Sequence, residues 1–437
     1  MVINRGLLFI RENNEADPVN KLIEWRRAFH QFPEIGWAEF VTTGTIITLL
    51  RDMDIEVKAG PHILCRESIL GRDEELVKEA IKIAKEKEIS TDLLTEMDGL
   101  TGCMAIIDTE IPGPTFAFRF DIDCVYVQES NDENHLPNKQ GFASCRSGLM
   151  HACGHDGHTA IGLGLAHWLK QNIHVLRGKY KLIFQPAEEG VRGARAISDS
   201  GILDDTDYFM GMHIGCNLKK GEVALDPFDF LCTTKLDIFL KGKVANATDE
   251  PEKGTNALVG ACFLANEILA TPRHGKGMTR VNVGTLIAGE NRSLIPSSAK
   301  MQLEVRGQDA EITKYLFDNI KKYTAGIASA YHLETKIEVT GEATNFRNDP
   351  EMINLMQAII DTHPELLNVT LPLGGSEDVS LMVRRVQEQG GKAIFFLVGA
   401  DQSDGHHKEK FDIDEEALSI GLTLFTEGIL SILNIPN

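Results

Sequence analysis

Positive charge is in short supply. Lysine and arginine number 44 against 64 aspartates and glutamates, a formal net charge of −20. A deficit of that size works against a broad phosphate-contacting surface and against an anionic membrane. Neither nucleic acid nor a membrane is therefore expected as a partner, although a local basic pocket for one small carboxylate is compatible with it. No apolar run approaches the ~18 residues of a membrane span. The opening MVINRGLLFIRENN has one short apolar stretch closed by Arg11, too short and badly flanked for a signal peptide, and the chain is expected in the cytoplasm. Paired cysteines are missing as well. The eight cysteines, at 65, 103, 124, 145, 153, 216, 232 and 262, form no CxxC, so in a reducing compartment most are expected to be small buried apolar residues. There is no internal repeat and no low-complexity stretch.

What is present is ordinary in bulk. The 437 residues are 43% hydrophobic and 25% charged, the balance of a soluble globular chain of two or three domains. KLIEWRRAFHQFPEIGWAEFVTTGTIITLLRDM reads as two helical stretches broken at Pro33, and DEELVKEAIKIAKEKE as an exposed charged helix inside an insertion over residues 61–98. TFAFRFDID alternates with period two, putting Phe116, Phe118 and Phe120 on one strand face and Arg119, Asp121 and Asp123 on the other. HDGHTAIGLGLAHWLKQ reads as a helix and KYKLIFQ as a strand ending before Pro186. Strands alternating with helices predict an α/β sandwich with a mostly parallel sheet.

The texture changes near residue 230. A strand (TTKLDIFLKGKV), a helix with Leu258, Cys262, Ala265 and Leu269 on one face, two strands (MTRVNVGTLIAG, AKMQLEVRG) and a helix with Ile312, Leu316, Ile320 and Ile327 in step predict a ferredoxin-like α+β module. The predicted organisation is a discontinuous domain over 1–229 and 345–437, with a smaller domain inserted at 230–344.

Chemistry-bearing residues gather in a few segments. In MHACGHDGH, Cys153 and His155 are two apart just before a helix, a spacing that points both to one side of an extended loop. Thiolate and imidazole suit Zn²⁺ or a similar ion. A helix-capping network around Asp156 or Thr159 is the alternative, but three histidines, a cysteine and an aspartate within 151–158 are denser than a cap needs. In QPAEEG, adjacent carboxylates on a turn point apart, so one can hold a metal while its neighbour reaches a water; taken alone, the pair equally fits a solvated helix start. DID places Asp121 and Asp123 at a strand's carboxyl end, where parallel sheets bind ligands. His213, and His406 and His407 in GHHKEKFD, are weak signals singly, yet the set supplies ligands enough for two ions. Arg292 and Arg306 are candidate guanidinium forks for a substrate carboxylate, with a structural ion pair equally open for Arg306. Ser376, Glu377 and Asp378 either line a site or form a plain loop.

Together, WRRAFHQFPEIGWAEF, GFASCRSGLMHACGHDGHTAIGLGLAH, KLIFQPAEEGVRGARA, GGSEDVSLM and GHHKEKFDIDE resemble the di-metal amidohydrolases that include aminoacylases, hippurate hydrolases and indole-acetyl-amino-acid hydrolases, over nearly the whole chain. The resemblance implies a metallopeptidase α/β domain with an inserted dimerisation or lid domain, and two divalent ions, Mn²⁺ or Zn²⁺. It implies a bridging thiolate at Cys153, further ligands at His155, Glu189, His213 and His407, and an orienting carboxylate at Asp123. Glu188 matches the general base that activates the attacking water. The implied substrate is an N-acyl or N-aroyl amino acid such as p-aminobenzoyl-glutamate, and the implied assembly is a homodimer or a heteromer with a related chain. Two positions depart from the family pattern. Asn246 stands where a histidine usually donates to the oxyanion, and Ser293 stands where asparagine is usual. A catalytically weak metal-binding protein paired with a related chain is the alternative these departures raise.

Overall fold

The computed structural model describes residues 18–435; the opening segment read above against a signal peptide lies outside the described residues. The described chain forms two compact units: residues 18–228, Phe346–Pro372 and 381–435 in the larger, Asp229–Asn345 and Leu373–Ser380 in the smaller. In chain order the strands are β1 (Glu56–Ala59), β2 (Cys103–Asp108), β3 (Thr115–Asp121), β4 (Lys179–Gln185), β5 (Tyr208–Ile214), β6 (Glu222–Ala224), β7 (Cys232–Lys241), β8 (Ala245–Asn246), β9 (Thr279–Ala288), β10 (Leu294–Ile295), β11 (Ser298–Gly307), β12 (Glu334–Ala343), β13 (Leu367–Asn368) and β14 (Lys392–Val398).

The larger unit is built on a sheet in the order β1-β2-β4-β3-β5-β14-β6-β13. Its central strands β4, β3, β5 and β14 run parallel, while β1, β2 and β6 pair antiparallel at the flanks. Strands covered on both faces are largely apolar, as is usual for parallel strands, with polar residues such as Arg119, Asp121 and Gln185 toward their carboxyl ends. Ile394 through Val398 are fully buried, and so are Phe116 and Phe118. The helix His155–Gln171 links β3 to β4 and is almost wholly buried. Gly162 allows this contact, since a Cβ there would come within 2.7–2.8 Å of the Phe120 and Phe184 rings. The helices Pro18–Gln31 and Glu416–Leu433 pack against it within the same core. By length and composition Glu416–Leu433 is apolar enough to cross a membrane, alone in this among the described residues. Ser419, Thr423, Thr426 and Glu427 interrupt it, so the sequence shows no unbroken apolar run there. Half of it is buried, through Leu424, Phe425 and Ile429.

The smaller unit is an antiparallel sheet in the order β12-β7-β11-β9 with the helices Ala257–Leu269 and Ala310–Tyr331, the strand order of a ferredoxin-like fold around its own core. Two details correct the sequence reading. The face shared by Leu258, Cys262 and Leu269 is the exposed one, while Ala257, Gly260, Ala261, Leu264 and Ile268 are buried. This helix is apolar nearly all round, so periodicity could not choose its face. Residues 373–380, assigned above to the larger domain, belong to the smaller unit. The Gly375 carbonyl accepts from the Leu231 amide (2.9 Å), Ser376 Oγ donates to the Leu231 carbonyl (2.8 Å) and Ser380 Oγ accepts from the Thr344 amide (3.0 Å).

Candidate active site

Each central parallel strand of the larger unit delivers a polar residue at its carboxyl end, the usual binding edge of such a sheet. Asp121 closes β3 and Asp123 follows it, Glu188 and Glu189 follow β4, His213 lies at the end of β5, and His406 and His407 follow β14. Cys153 precedes the helix that begins at His155. The turn into that helix passes through Gly154 at φ 86°, where a Cβ would meet Ile214 Cγ2 at 2.6 Å.

Asp123 organises the site. Its Oδ1 accepts from the Glu188 amide (3.1 Å) and its Oδ2 from the Glu189 amide (2.9 Å). His155 Nδ1 lies 2.9 Å from the Asp123 carbonyl and 3.3 Å from its Oδ1. With Nδ1–H donating there, Nε2 of His155 is left buried and without a hydrogen bond. It faces Asp121 Oδ2 at 3.6 Å and Glu188 Oε2 at 4.0 Å. Ligand atoms of Cys153, His155 and Glu189 all fall within 4.8 Å of one another, and those of Cys153, His213 and His406 do the same. His213 donates from Nδ1 to the Ile214 carbonyl (2.9 Å), which turns Nε2 toward Cys153 Sγ at 3.5 Å. The orphaned Nε2, the shared thiol and the converging carboxylate form a donor set that fits divalent cations, with the carboxylate-oriented histidine common at metal sites. Burial opposes charge on His155, but Asp121, Asp123 and Glu189 outweigh it and push the imidazole up to about 10. That is the electrostatic signature of a pocket that favours a cation.

In a third cluster, Asp121, His155 and His158, the Asp121 and His158 atoms are already engaged by protein groups. His158 Nδ1 pairs with Asp121, its Nε2 accepts the Ile214 amide at 2.9 Å, and Asp121 also binds Arg119. His158 thereby steadies the backbone next to His213. The carboxylate turn itself is strained. Ala187 and Val191 hold φ of 53° and 58°, unusual for any side chain and an outlier for a β-branched one. Glu39 pins the turn, its Oε1 accepting the Ala187 amide at 2.8 Å and its Oε2 bonded to Thr101 at 2.6 Å.

The structure therefore brings Asp123, Cys153, His155, Glu188, Glu189 and His213 together. His407 sits beside them with Nε2 3.1 Å from Glu189 Oε1, at φ 61° and half-exposed, and belongs to none of the three clusters. His406 takes the place beside Cys153 and His213, with its Nε2 accepting the Cys216 amide at 2.9 Å. The sequence named His406 and His407 together as weak candidates, and the resemblance pointed to His407, whereas the cluster contains His406. Sequence reasoning missed Glu39, whose one signal was a carboxylate inside an apolar run.

The remaining candidates lie in the smaller unit. Asn246 is exposed in β8, its Oδ1 accepting the Thr248 (2.8 Å) and Asp249 (3.1 Å) amides. Arg292 and Ser293 are exposed. Arg306 forks onto Glu304 in its own strand, at 3.0 and 3.3 Å.

Residues 117–431 match the profile of peptidase family M20/M25/M40. The chain belongs to that family. This M20-family chain is 46% identical over 419 residues to a homolog of a p-aminobenzoyl-glutamate hydrolase subunit from Haemophilus influenzae, covering 95% of this chain and 99% of that one. It is 39% identical over 417 residues to a p-aminobenzoyl-glutamate hydrolase subunit from Escherichia coli, covering 94% and 95%. Among solved structures it resembles an aminobenzoyl-glutamate utilization protein from Klebsiella pneumoniae, with TM-score 0.81, 33% identity and 100% and 99% coverage. It also resembles a dinuclear metal binding peptidase from the M20 family of Bacillus subtilis, with TM-score 0.65, 25% identity and 96% and 99% coverage. The M20-family chain described here is a hydrolase, and its larger unit carries metal-ligating groups.

Proposed function

We propose that this chain is a metal-dependent amidohydrolase that cleaves the amide bond of an N-aroyl amino acid, with p-aminobenzoyl-glutamate as its substrate. The observation that carries the proposal is Glu188, its backbone held by Asp123, beside the Nε2 of His155, which makes no hydrogen bond, and next in sequence to Glu189. Cys153, His155, Glu189 and His213, with His406 or His407, would hold two divalent ions, Mn²⁺ or Zn²⁺. When bound, such ions polarise a scissile carbonyl and lower the pKa of water. Glu188 takes the proton from the attacking water and hands it to the leaving amine nitrogen. Asp123 engages His155 through Nδ1, so that Nε2 is the nitrogen a cation would take in place of its proton, and it holds the Glu188 backbone in place. Asn246 has committed Oδ1 to its own turn, so Nδ2 is the end that can donate to the oxyanion. Arg292 is the fork for the substrate carboxylate, since Arg306 is engaged by Glu304. The eight cysteines form no disulfide, which suits a cytoplasmic protein that depends on the Cys153 thiolate.

A second reading draws on the relatives named as hydrolase subunits and on Asn246. In it the chain works beside a related chain that supplies the missing histidine, whereas the first reading allows a self-sufficient homodimer. Hydrolysis of p-aminobenzoyl-glutamate by the Mn²⁺-loaded chain alone, with Asn246→His alongside, separates the two. A rapid wild-type rate supports the lone enzyme with an amide donor. A wild type rescued by the histidine supports the site and favours the partnered assembly. Inactivity of both proteins counts against the lone enzyme and its substrate.

A further inference from the structure

Arg26, on the helix Pro18–Gln31, is fully buried. A guanidinium cut off from water needs carboxylates to balance its charge, and three surround it. Its Nε lies 2.9 Å from Asp156 Oδ2, one terminal nitrogen 2.6 Å from Asp412 Oδ1, and the other 3.4 Å from Glu415 Oε1. One helical turn on, His30 Nδ1 meets the same Asp156 oxygen at 2.7 Å and its Nε2 faces Glu129 at 3.2 Å. The Phe142 ring covers the group, 5.2 Å from the Arg26 guanidinium carbon. Arg27, partly exposed, forks onto Glu415 alone.

What sets Arg26 apart is where its partners lie. Asp156 directly follows His155. Asp412 closes the segment that carries His406 and His407. These two segments touch through the His407 amide, which donates to the Ala152 carbonyl at 2.8 Å. Their side chains converge at the Cys153–His406 pair of the cluster and are joined by ion pairs at the shared guanidinium.

We propose that Arg26 is a positioning residue for the metal centre, fixing the spacing between the Cys153–His155 segment and the His406–His407 segment through Asp156 and Asp412. This rests on the metal reading given under Proposed function. Groups that orient ligands without touching the ion change metal affinity about 10–100-fold when removed, and a clamp across two ligand segments acts in the same way.

The test is Mn²⁺ titration of the full-length, metal-stripped chain, with the metal-free melting temperature recorded for each variant. Arg26→Gln is expected to weaken Mn²⁺ binding about 10–100-fold. Asp412→Asn is expected to weaken it less, and the double variant no more than Arg26→Gln alone, because both remove one clamp. Arg26→Lys should recover part of the affinity, since an ammonium keeps the charge but cannot fork between carboxylates. Ile359→Val, a core change in the helix Pro350–Ile360, should lower the melting temperature and leave affinity untouched. Equal weakening by Ile359→Val overturns the inference, as does wild-type affinity in folded Arg26→Gln and Asp412→Asn. If Arg26→Gln does not fold, Asp412→Asn decides. A wild type that takes up no Mn²⁺ removes the metal reading and this inference together, whereas a Mn²⁺-binding wild type with unaltered variants removes this inference alone.

Discussion

In the larger unit Arg26, Arg119, Asp121, Asp123, His155 and Asp156 are all fully buried, each against at least one partner of opposite charge. In the smaller unit Asn246 and Arg292 are exposed, and Arg306 is half-exposed against Glu304. Burying charge is costly unless partners are in place. The larger unit therefore holds its polar groups in one arrangement before any ligand arrives, as a reacting centre requires. The exposed groups of the smaller unit are oriented by little beyond their own turns. Polar groups are thus preorganised in the larger unit and left exposed in the smaller one.

The contrast can be broken most severely at Glu188. Glu188→Ala is expected to lower turnover of p-aminobenzoyl-glutamate by about 10²–10⁴-fold while bound metal, measured by elemental analysis, stays at the wild-type level. An unchanged rate would remove Glu188 from the chemistry. Asp123→Asn comes next. Losing the carboxylate that orients His155 and the carboxylate turn should weaken metal binding by about 10–100-fold, measured by chelator competition. Asn246→Ala probes the other side of the comparison. Turnover should fall, by at most the 10²–10³ or so seen for an oxyanion donor, while stability to urea changes by about 1 kcal/mol or less, as for a side chain that caps an exposed turn. A large loss of stability would show that Asn246 is held as tightly as the buried groups.

His30 sharpens the contrast through pH. Burial works against its charge, but hydrogen bonds to Asp156 and Glu129 outweigh burial and the nearby Arg26, and raise the imidazole to about 9 from an ordinary 6.5. A raised folded pKa contributes stability that is complete below 6.5 and is lost as pH rises through about 9. The melting temperature of the metal-free wild type should fall across that window, and His30→Gln, less stable below it, should fall less, so that the difference narrows as pH rises. The smallest effect is expected at Arg306→Lys. A half-exposed pair within one strand is worth about 0.2–1 kcal/mol, and turnover should hold if Arg292 is the substrate fork.

Legibility in the sequence followed the same divide. Period-two and helical spacing located β3, β4, the helix His155–Gln171 and the ferredoxin-like order of the smaller unit, because each of these elements buries a regular pattern. The cysteine-histidine and glutamate pairs were legible because several ligand-type residues fell in short segments. Three features escaped. The mostly apolar helix Ala257–Leu269 hid its buried face. Residues 373–380 joined the smaller unit through single hydrogen bonds that no periodicity announces. Glu39, His406 and Arg26 act through partners distant in sequence, so only the folded chain brings their roles into view.

The central claim is that the buried cluster of the larger unit is a metal-dependent amide-hydrolysing site. The most direct measurement follows glutamate release from p-aminobenzoyl-glutamate by one preparation of the full chain, first stripped by chelator and then reloaded with Mn²⁺. The account predicts negligible release from the stripped protein and recovery on reloading, with about two ions bound per chain, the stoichiometry of a two-metal site. Equal release before and after stripping would contradict it.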